Sequence, residues 1–466
     1  MSTFSATVAL LRSLERRTRP VDPETRAALD RRWAELPAHV KTPSQTVGRH
    51  SVGCEGTHGV FPRCNLACTP CYHSSDANKV RVDGEHTLAE VDRQMAFLRS
   101  RRGPRAHAQL IGGEVTLLAP EDHAAALEVM RRHGRMPMSM THGDFDYDYL
   151  EQLALAPDGK PRFPRLSFAA HFDSLMIGRR GIKRPQSERD LNPYRQHFCE
   201  LFQQLQREHG VKHYLAHNMT VTPQNLGEIA EVIRSCRRMG FRMFSFQPAA
   251  YVGDERRWSD GYREVTSDSV WAEIERGIGA RLPYKAIQVG DERCNRTVWG
   301  LLVGRGWVPV VDDLVPADLE VRDVFYAAFG GIDFGASRGV LVLRLARAAA
   351  RKPGVIPVAA RWVVRLARRV GLRNVLLGRV RPLTFVMHSF MDASDVKPAW
   401  ELLRRGELSD DPRIRATQER LQACSYAMAH PESDELVPAC AQHSVLDPLE
   451  NIELRRRLPL VSVQRS

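Results

Sequence analysis

Cys64, Cys68 and Cys71 stand in one short loop with the spacing C-x3-C-x2-C. Thiolates at this spacing suit three irons of a cubic [4Fe–4S] cluster, and with no fourth cysteine close by the remaining iron keeps an open coordination position. A structural zinc site would close its tetrahedron with a fourth Cys or His, usually in a paired knuckle. His73 is near, but no second C-x2-C pair follows. The odd total of nine cysteines in a long chain also argues against a disulfide framework. An open iron invites a small-molecule ligand.

A second stretch, Ile111-Gly112-Gly113-Glu114-Val115-Thr116, ends an apolar run about fifty residues later. Paired glycines let the backbone approach a ligand closely, and a carboxylate at Glu114 offers an acceptor to an ammonium group. On these two stretches the chain resembles the radical S-adenosylmethionine (SAM) enzymes, residues 63–72 matching their cluster loop and 111–116 their GGE motif. The resemblance implies that SAM chelates the open iron through its amino and carboxylate groups. An electron from the cluster would break the S–C5′ bond, and the 5′-deoxyadenosyl radical would take hydrogen from an unactivated carbon. Implied SAM contacts are Tyr72 at the adenine, Gly112, Gly113, Glu114 and Thr116, with Asn218 and Gln247 from later strands.

These loops need a scaffold, and residues 50–250 supply an alternation of short β-rich runs and longer helical ones, the pattern of βα units on a parallel sheet. The first strand is expected to end just before Cys64. The others are expected at 107–111, 136–140, 165–170, within 213–221, and at 241–246, with helices at 88–101, 120–133, 193–209 and 225–239. Six such repeats give an α/β fold of the partial (βα)6, TIM-like kind that the resemblance also implies. Ligand chemistry then gathers at the C-terminal strand ends. Strand exits at His171 to Ser174, Asn218 and Gln247 are candidate contacts, while Asn225 is read as a helix cap only.

Of the other cysteines, Cys199 and Cys236 lie on amphipathic helical stripes and read as small core hydrophobes. Cys294, Cys424 and Cys440, with Cys54 as the weakest member, sit among polar or turn-forming neighbours and form a candidate auxiliary iron–sulfur site. Around Asp392, Cys424 to Pro431 and Cys440 the tail resembles the C-terminal region of the tetraether lipid synthase group, whose members join lipid alkyl chains and carry extra iron sites. The layout expected is a helical lead-in (1–50), a core barrel (51–250), a linker opening the C-terminal extension (251–335), a basic amphipathic segment (336–391) and a Cys-containing end (392–466).

Formal net charge is +12, and residues 334–391 alone hold twelve Lys and Arg with no acid. Two helices read there, over 339–352 and 359–370, with arginines opposite aliphatic residues and with Trp362, Leu366 and Val370 turned away from Arg361, Arg365, Arg368 and Arg369. Such a hairpin suits an anionic membrane surface, a solvated face being the plainer alternative. No nucleic-acid module accompanies the charge. The N-terminus lacks the charge-then-apolar order of a signal peptide, and no run of about eighteen apolar residues appears. The expected setting is cytoplasmic, peripheral at the inner membrane face.

The function expected is radical SAM chemistry on a C–H bond of a lipid or other hydrophobic substrate, driven by a reductase such as flavodoxin or ferredoxin. A peptide-modifying radical SAM maturase is the enzymatic alternative, and a non-catalytic iron–sulfur sensor or electron carrier is the alternative of another class.

Overall fold

The computed structural model describes residues 3–71, 77–253, 258–458 and 460. Its strands are β1 (Cys54–Gly56), β2 (Ala67–Cys68), β3 (Ala106–Leu110), β4 (Arg135–Thr141), β5 (Arg165–His171), β6 (Met176–Ile177), β7 (Lys212–Val221), β8 (Met243–Pro248), β9 (Asn295–Val303), β10 (Gly306–Pro309), β11 (Val380–His388), β12 (Tyr426–His430) and β13 (Glu435–Pro438). Eleven of them form one sheet in the order β10-β9-β11-β8-β7-β5-β4-β3-β1-β12-β13. Neighbours from β12 through β1 to β8 and β11 pair in parallel. Strands β9, β10 and β13 join antiparallel at the flanks. The chain is thus an α/β protein built on a curled, mostly parallel half-barrel. The short β2 and β6 pair with each other outside the main sheet.

Parallel strands covered on both faces are buried along their length, and β7 is buried from Leu215 to Val221, with His217, Asn218 and Thr220 among its apolar residues. The helix Asn192–His209 buries Phe198, Leu201, Phe202 and Leu205. Phe202 meets Phe168 of β5 with ring centroids 5.0 Å apart. The expected strands from 107 to 246 are all present, but the sheet does not stop at residue 250. Strands β9, β10 and β11 extend one flank, while β12 and β13 extend the other.

Three local expectations are corrected. The first strand ends at Gly56, so residues 57–63 run irregularly to the Cys loop. Tyr426 crosses there, and a Cβ on Gly56 would fall 2.3 Å from its hydroxyl. The helix expected over 225–239 is a 3-10 turn at Leu226–Glu228 followed by Ile229–Cys236. Asn225 does not cap it. Its side chain accepts from the Thr222 amide at 2.9 Å and donates to Glu188 at 3.2 Å and to the Thr220 carbonyl at 3.0 Å.

The basic helices are present at Arg338–Arg351 and Val355–Val370, followed by Leu372–Leu376. Their faces differ from the expectation. Arg365 and Arg369 turn inward to the fully buried Asp318, at 3.2 and 2.7 Å, while Val363 and Val364 are exposed. Asp318 lies outside the basic segment, so its pull was invisible to local periodicity. Among the described residues no helix is long and apolar enough to cross a membrane.

The scaffold beneath the site carries a buried ion cluster. Glu55 of β1 receives Arg135 Nε and Nη2 at 2.9 and 3.0 Å, and Arg102 lies 3.2 Å away. Glu55 and Arg135 are wholly buried. Replacing Glu55 with Ala leaves two guanidiniums unpaired in the interior and is expected to cost about 3–5 kcal/mol, read as a lower midpoint in denaturant unfolding.

Candidate functional site

One cavity of about 290 Å³ lies inside the curl of the sheet and is lined by both groups of cysteines. The Cys64–Cys71 loop is pinned on three sides. Cys68 of β2 pairs with Met176 of β6, and the Thr69 amide donates to the Leu175 carbonyl at 3.3 Å. The Cys64 amide donates to Asn78 Oδ1 at 2.9 Å. Just upstream, the amides of Gly113 and Glu114 donate to the carbonyls of Phe61 and Arg63 at 2.6 and 2.8 Å.

That last contact explains the glycine pair. A Cβ on Gly113 would sit 2.0 Å from the Arg63 carbonyl, and one on Gly112 would sit 2.7 Å from the Phe61 ring. The glycines therefore admit the backbone leading to the Cys loop, not primarily a ligand. Both still line the cavity, and among the described residues their carbonyls accept no hydrogen bond.

The donor set suits a polynuclear cluster. Around a single zinc, thiolates at about 2.3 Å bring their sulfurs within roughly 4 Å of one another. Cys64, Cys68 and Cys71 are not all within 4.8 Å of one another. The Leu66 amide points at Cys64 Sγ from 3.4 Å, a contact of the type that tunes cluster potentials. Burial pushes the Cys64 thiol up to about 12, and the Cys71 thiol together with burial raises Cys68 well above its ordinary value. Such thiols ionise when cations lie against them.

Glu114 is buried and already engaged. Its Oε1 accepts from the Thr116 amide at 3.1 Å and from the hydroxyls of Thr116 and Thr141, each at 2.6 Å. Its Oε2 accepts from the His142 amide at 2.7 Å and lies 3.4 Å from the His142 ring Nε2, which gives its proton to Asn65. Thr116 does not line the cavity; it orients Glu114 from behind. Asn218 and Gln247 both line the cavity, Asn218 from within β7 and Gln247 from the end of β8, as expected. Gln247 donates to Ser245 at 3.0 Å. Tyr72 lies outside the described residues.

His142 was not foreseen and joins the parts. The Asp144 amide donates to its Nδ1 at 3.0 Å, so the proton is on Nε2, which donates to Asn65 of the Cys loop at 2.7 Å. Burial holds its pKa below the ordinary value. The signal was available, since His142 follows the end of β4 as His171 ends β5. At His171, burial opposes the charge, but Asp173 at 2.6 Å holds the pKa above its ordinary value.

On the far side of the cavity, four cysteines from separate parts of the chain converge. Cys54 opens β1, Cys294 precedes β9, Cys424 precedes β12, and Cys440 follows β13. Cys424 is close enough to raise the pKa of Cys54, Cys294 and Cys440 electrostatically, after burial as the main cause. Arg420 donates from Nε to Cys294 Sγ at 3.1 Å and from Nη2 to the Ser389 carbonyl at 3.1 Å. No three of these sulfurs lie within 4.8 Å of one another, which again disfavours one ion. A neighbouring trio, His58, His430 and Glu450, is tight enough for a metal. His58 spends both ring nitrogens there, on Glu450 at 2.8 Å and the Ala429 carbonyl at 2.6 Å. It has no lone pair left and forms an ion pair.

No family model matches the chain, and no curated protein matches it. Solved structures that are similar include native anSMEcpe with bound AdoMet and Cp18Cys peptide, at 14% identity and TM-score 0.31, covering 48% of this chain and 57% of that one. Native anSMEcpe with bound AdoMet gives 15% identity and TM-score 0.29, covering 43% and 55%. The chain thus spans little more than half the length of these proteins.

Taken as chemistry, the cavity sets one trio of thiols beside a buried carboxylate and a second group of thiols beside a guanidinium. Met138, Met140, Ala169, Met243 and Met391 supply apolar wall between them. The first group was legible as a motif. The second was legible only as polar surroundings of scattered cysteines.

Proposed function

We propose that this protein is a radical SAM enzyme that functionalises a C–H bond of a lipid or other hydrophobic substrate. The observation that carries the reading is the direct backbone pairing of the cysteine loop with the Gly-Gly-Glu loop on the wall of one cavity. Cys64, Cys68 and Cys71 would hold a [4Fe–4S] cluster, which supplies the electron that splits SAM's S–C5′ bond. Glu114 and the carbonyls of Gly112 and Gly113 offer acceptors to the ammonium of SAM. His142 fixes Asn65 and so the pose of the loop. Cys294, Cys424, Cys440 and Cys54 would hold a second cluster, with Arg420 as the compensating cation.

Support for an apolar substrate comes from the methionine-rich wall, which adapts its shape and offers no hydrogen bonds to satisfy. A one-electron donor such as flavodoxin or ferredoxin is then a required partner. Protein reconstituted anaerobically with iron and sulfide, then given SAM and dithionite, is expected to release 5′-deoxyadenosine. None from protein with its full iron content would overturn the assignment in favour of a sensor or electron carrier.

A further inference from the structure

Among the described residues, the exposed large apolar side chains are concentrated on the three helices Arg338–Arg351, Val355–Val370 and Leu372–Leu376 and the residue that follows them. On the second helix Ile356, Val363 and Val364 are exposed, the first at 56%. They stand at i, i+7 and i+8, one face of a helix. The inward side is spoken for, since Trp362 donates to the Val310 carbonyl at 3.0 Å and Arg365 and Arg369 hold Asp318. The helix is thus apolar on two faces, with Val355, Val358 and Val370 buried against the protein and Ile356, Val363 and Val364 left outward. Its neighbour continues the pattern, with Leu372 at 68% and Leu376 at 77% exposure. The first helix adds Val342 at 63% and Leu343.

Apolar side chains gathered in this way mark an interaction surface. The cations around them indicate what covers the face. Arg338, Arg368, Arg373 and Arg379 are exposed and, among the described residues, lie within 4.0 Å of no carboxylate. Arg361 reaches Glu320 only at 4.0 Å. Apolar side chains bordered by unpaired guanidiniums match one kind of partner, an interface of acyl chains beneath phosphate headgroups. A nucleic acid would satisfy the arginines and leave the leucines wet. A soluble acidic protein would need its own apolar patch.

We infer that these three helices seat the protein on an anionic lipid bilayer, with Val363, Leu372 and Leu376 among the acyl chains and Arg368, Arg373 and Arg379 at the phosphates. The surface stands apart from the cavity, and the inference does not depend on the reaction proposed above. Arg365 and Arg369 are poor probes of it, because each is an ion-pair partner of the buried Asp318 and its loss would also weaken the fold.

The test is flotation of the full-length, iron-loaded protein with phosphatidylcholine vesicles, with and without phosphatidylglycerol. Binding is expected to require phosphatidylglycerol and to fall steeply as salt is raised. The triple variant R368Q/R373Q/R379Q is expected to bind about a hundredfold more weakly, at about fivefold per arginine. The variant V363D/L376D should lose at least about tenfold while keeping the wild-type unfolding midpoint, since both side chains are exposed. Equal binding to both kinds of vesicle, no binding to either, or binding that both variants leave unchanged would overturn the inference. So would a wild-type dimer in solution that V363D/L376D dissociates, because a second copy would then own this face.

Discussion

Replacing Cys68 with Ala is expected to remove about four iron atoms per chain and to bring 5′-deoxyadenosine release down to background. Three features make the effect large. Cys68 lies on β2, whose pairing with β6 fixes the loop, so no other cysteine can slide into its place. Its thiol is held against that of Cys71 and is raised far above its ordinary value by that contact and by burial. A thiol so placed ionises when a cation lies against it. Cys199 is the control. It is fully buried in the hydrophobic core, and Cys199→Ala should leave iron content and SAM cleavage unchanged. Iron and sulfide analysis with electron paramagnetic resonance of the reduced protein separates the outcomes. Retention of the full wild-type iron content in the Cys68 variant would show that the trio does not bind a cluster.

A subtler variant in the same region isolates positioning from ligation. In Glu114→Gln an NH2 group must face either the two threonine hydroxyls or the His142 amide. The His142 amide can only donate, and so can the Thr116 amide on the other oxygen, so one donor loses its partner either way. Orienting groups of this kind typically carry about 10–100-fold. Loss of SAM cleavage on that scale with iron content intact is expected.

The parts of this site differed in how far the sequence announced them, and the difference follows from range. The cysteine trio and the Gly-Gly-Glu stretch are each short, so residue type and spacing carry their meaning. The central strands were legible because short β-rich runs alternate with longer helical ones, even though β7 and β8 bury polar residues such as Asn218 and Gln247 among their apolar ones. What failed to show was placement that depends on distant partners. β12 lies outside the βα alternation of residues 50–250, yet it brings Cys424 to Cys54 because Cys54 pairs with Tyr426. Cys294 is placed by β9 running antiparallel to β11, with Asn295 opposite His388. The orientation of Arg365 and Arg369 depends on Asp318, far from them in the chain. His142 is the one omission that local reading could have repaired.

That convergence of distant cysteines leads to the second large effect. The triple variant C294A/C424A/C440A is expected to lose about half of a total of roughly eight iron atoms, one of two cubic clusters. SAM cleavage in the absence of substrate should survive, because the loop at Cys64 is anchored through Asn78, Phe61 and Arg63 and owes nothing to the second group. Turnover of substrate should be lost. Cys54→Ala alone then decides whether β1 supplies the fourth thiolate, by removing the same iron complement or leaving it in place. Arg420 gives an independent reading. Its guanidinium lies on Cys294 and raises the pKa of none of these thiols; beside burial it acts to lower that of Cys294. A cation in that position stabilises the more negative, reduced state of a cluster, so Arg420→Met should make the potential of the second cluster more negative and leave the first unmoved. A shift confined to the first cluster, or iron content unchanged in the triple variant, would mean that these four thiols are only packed together.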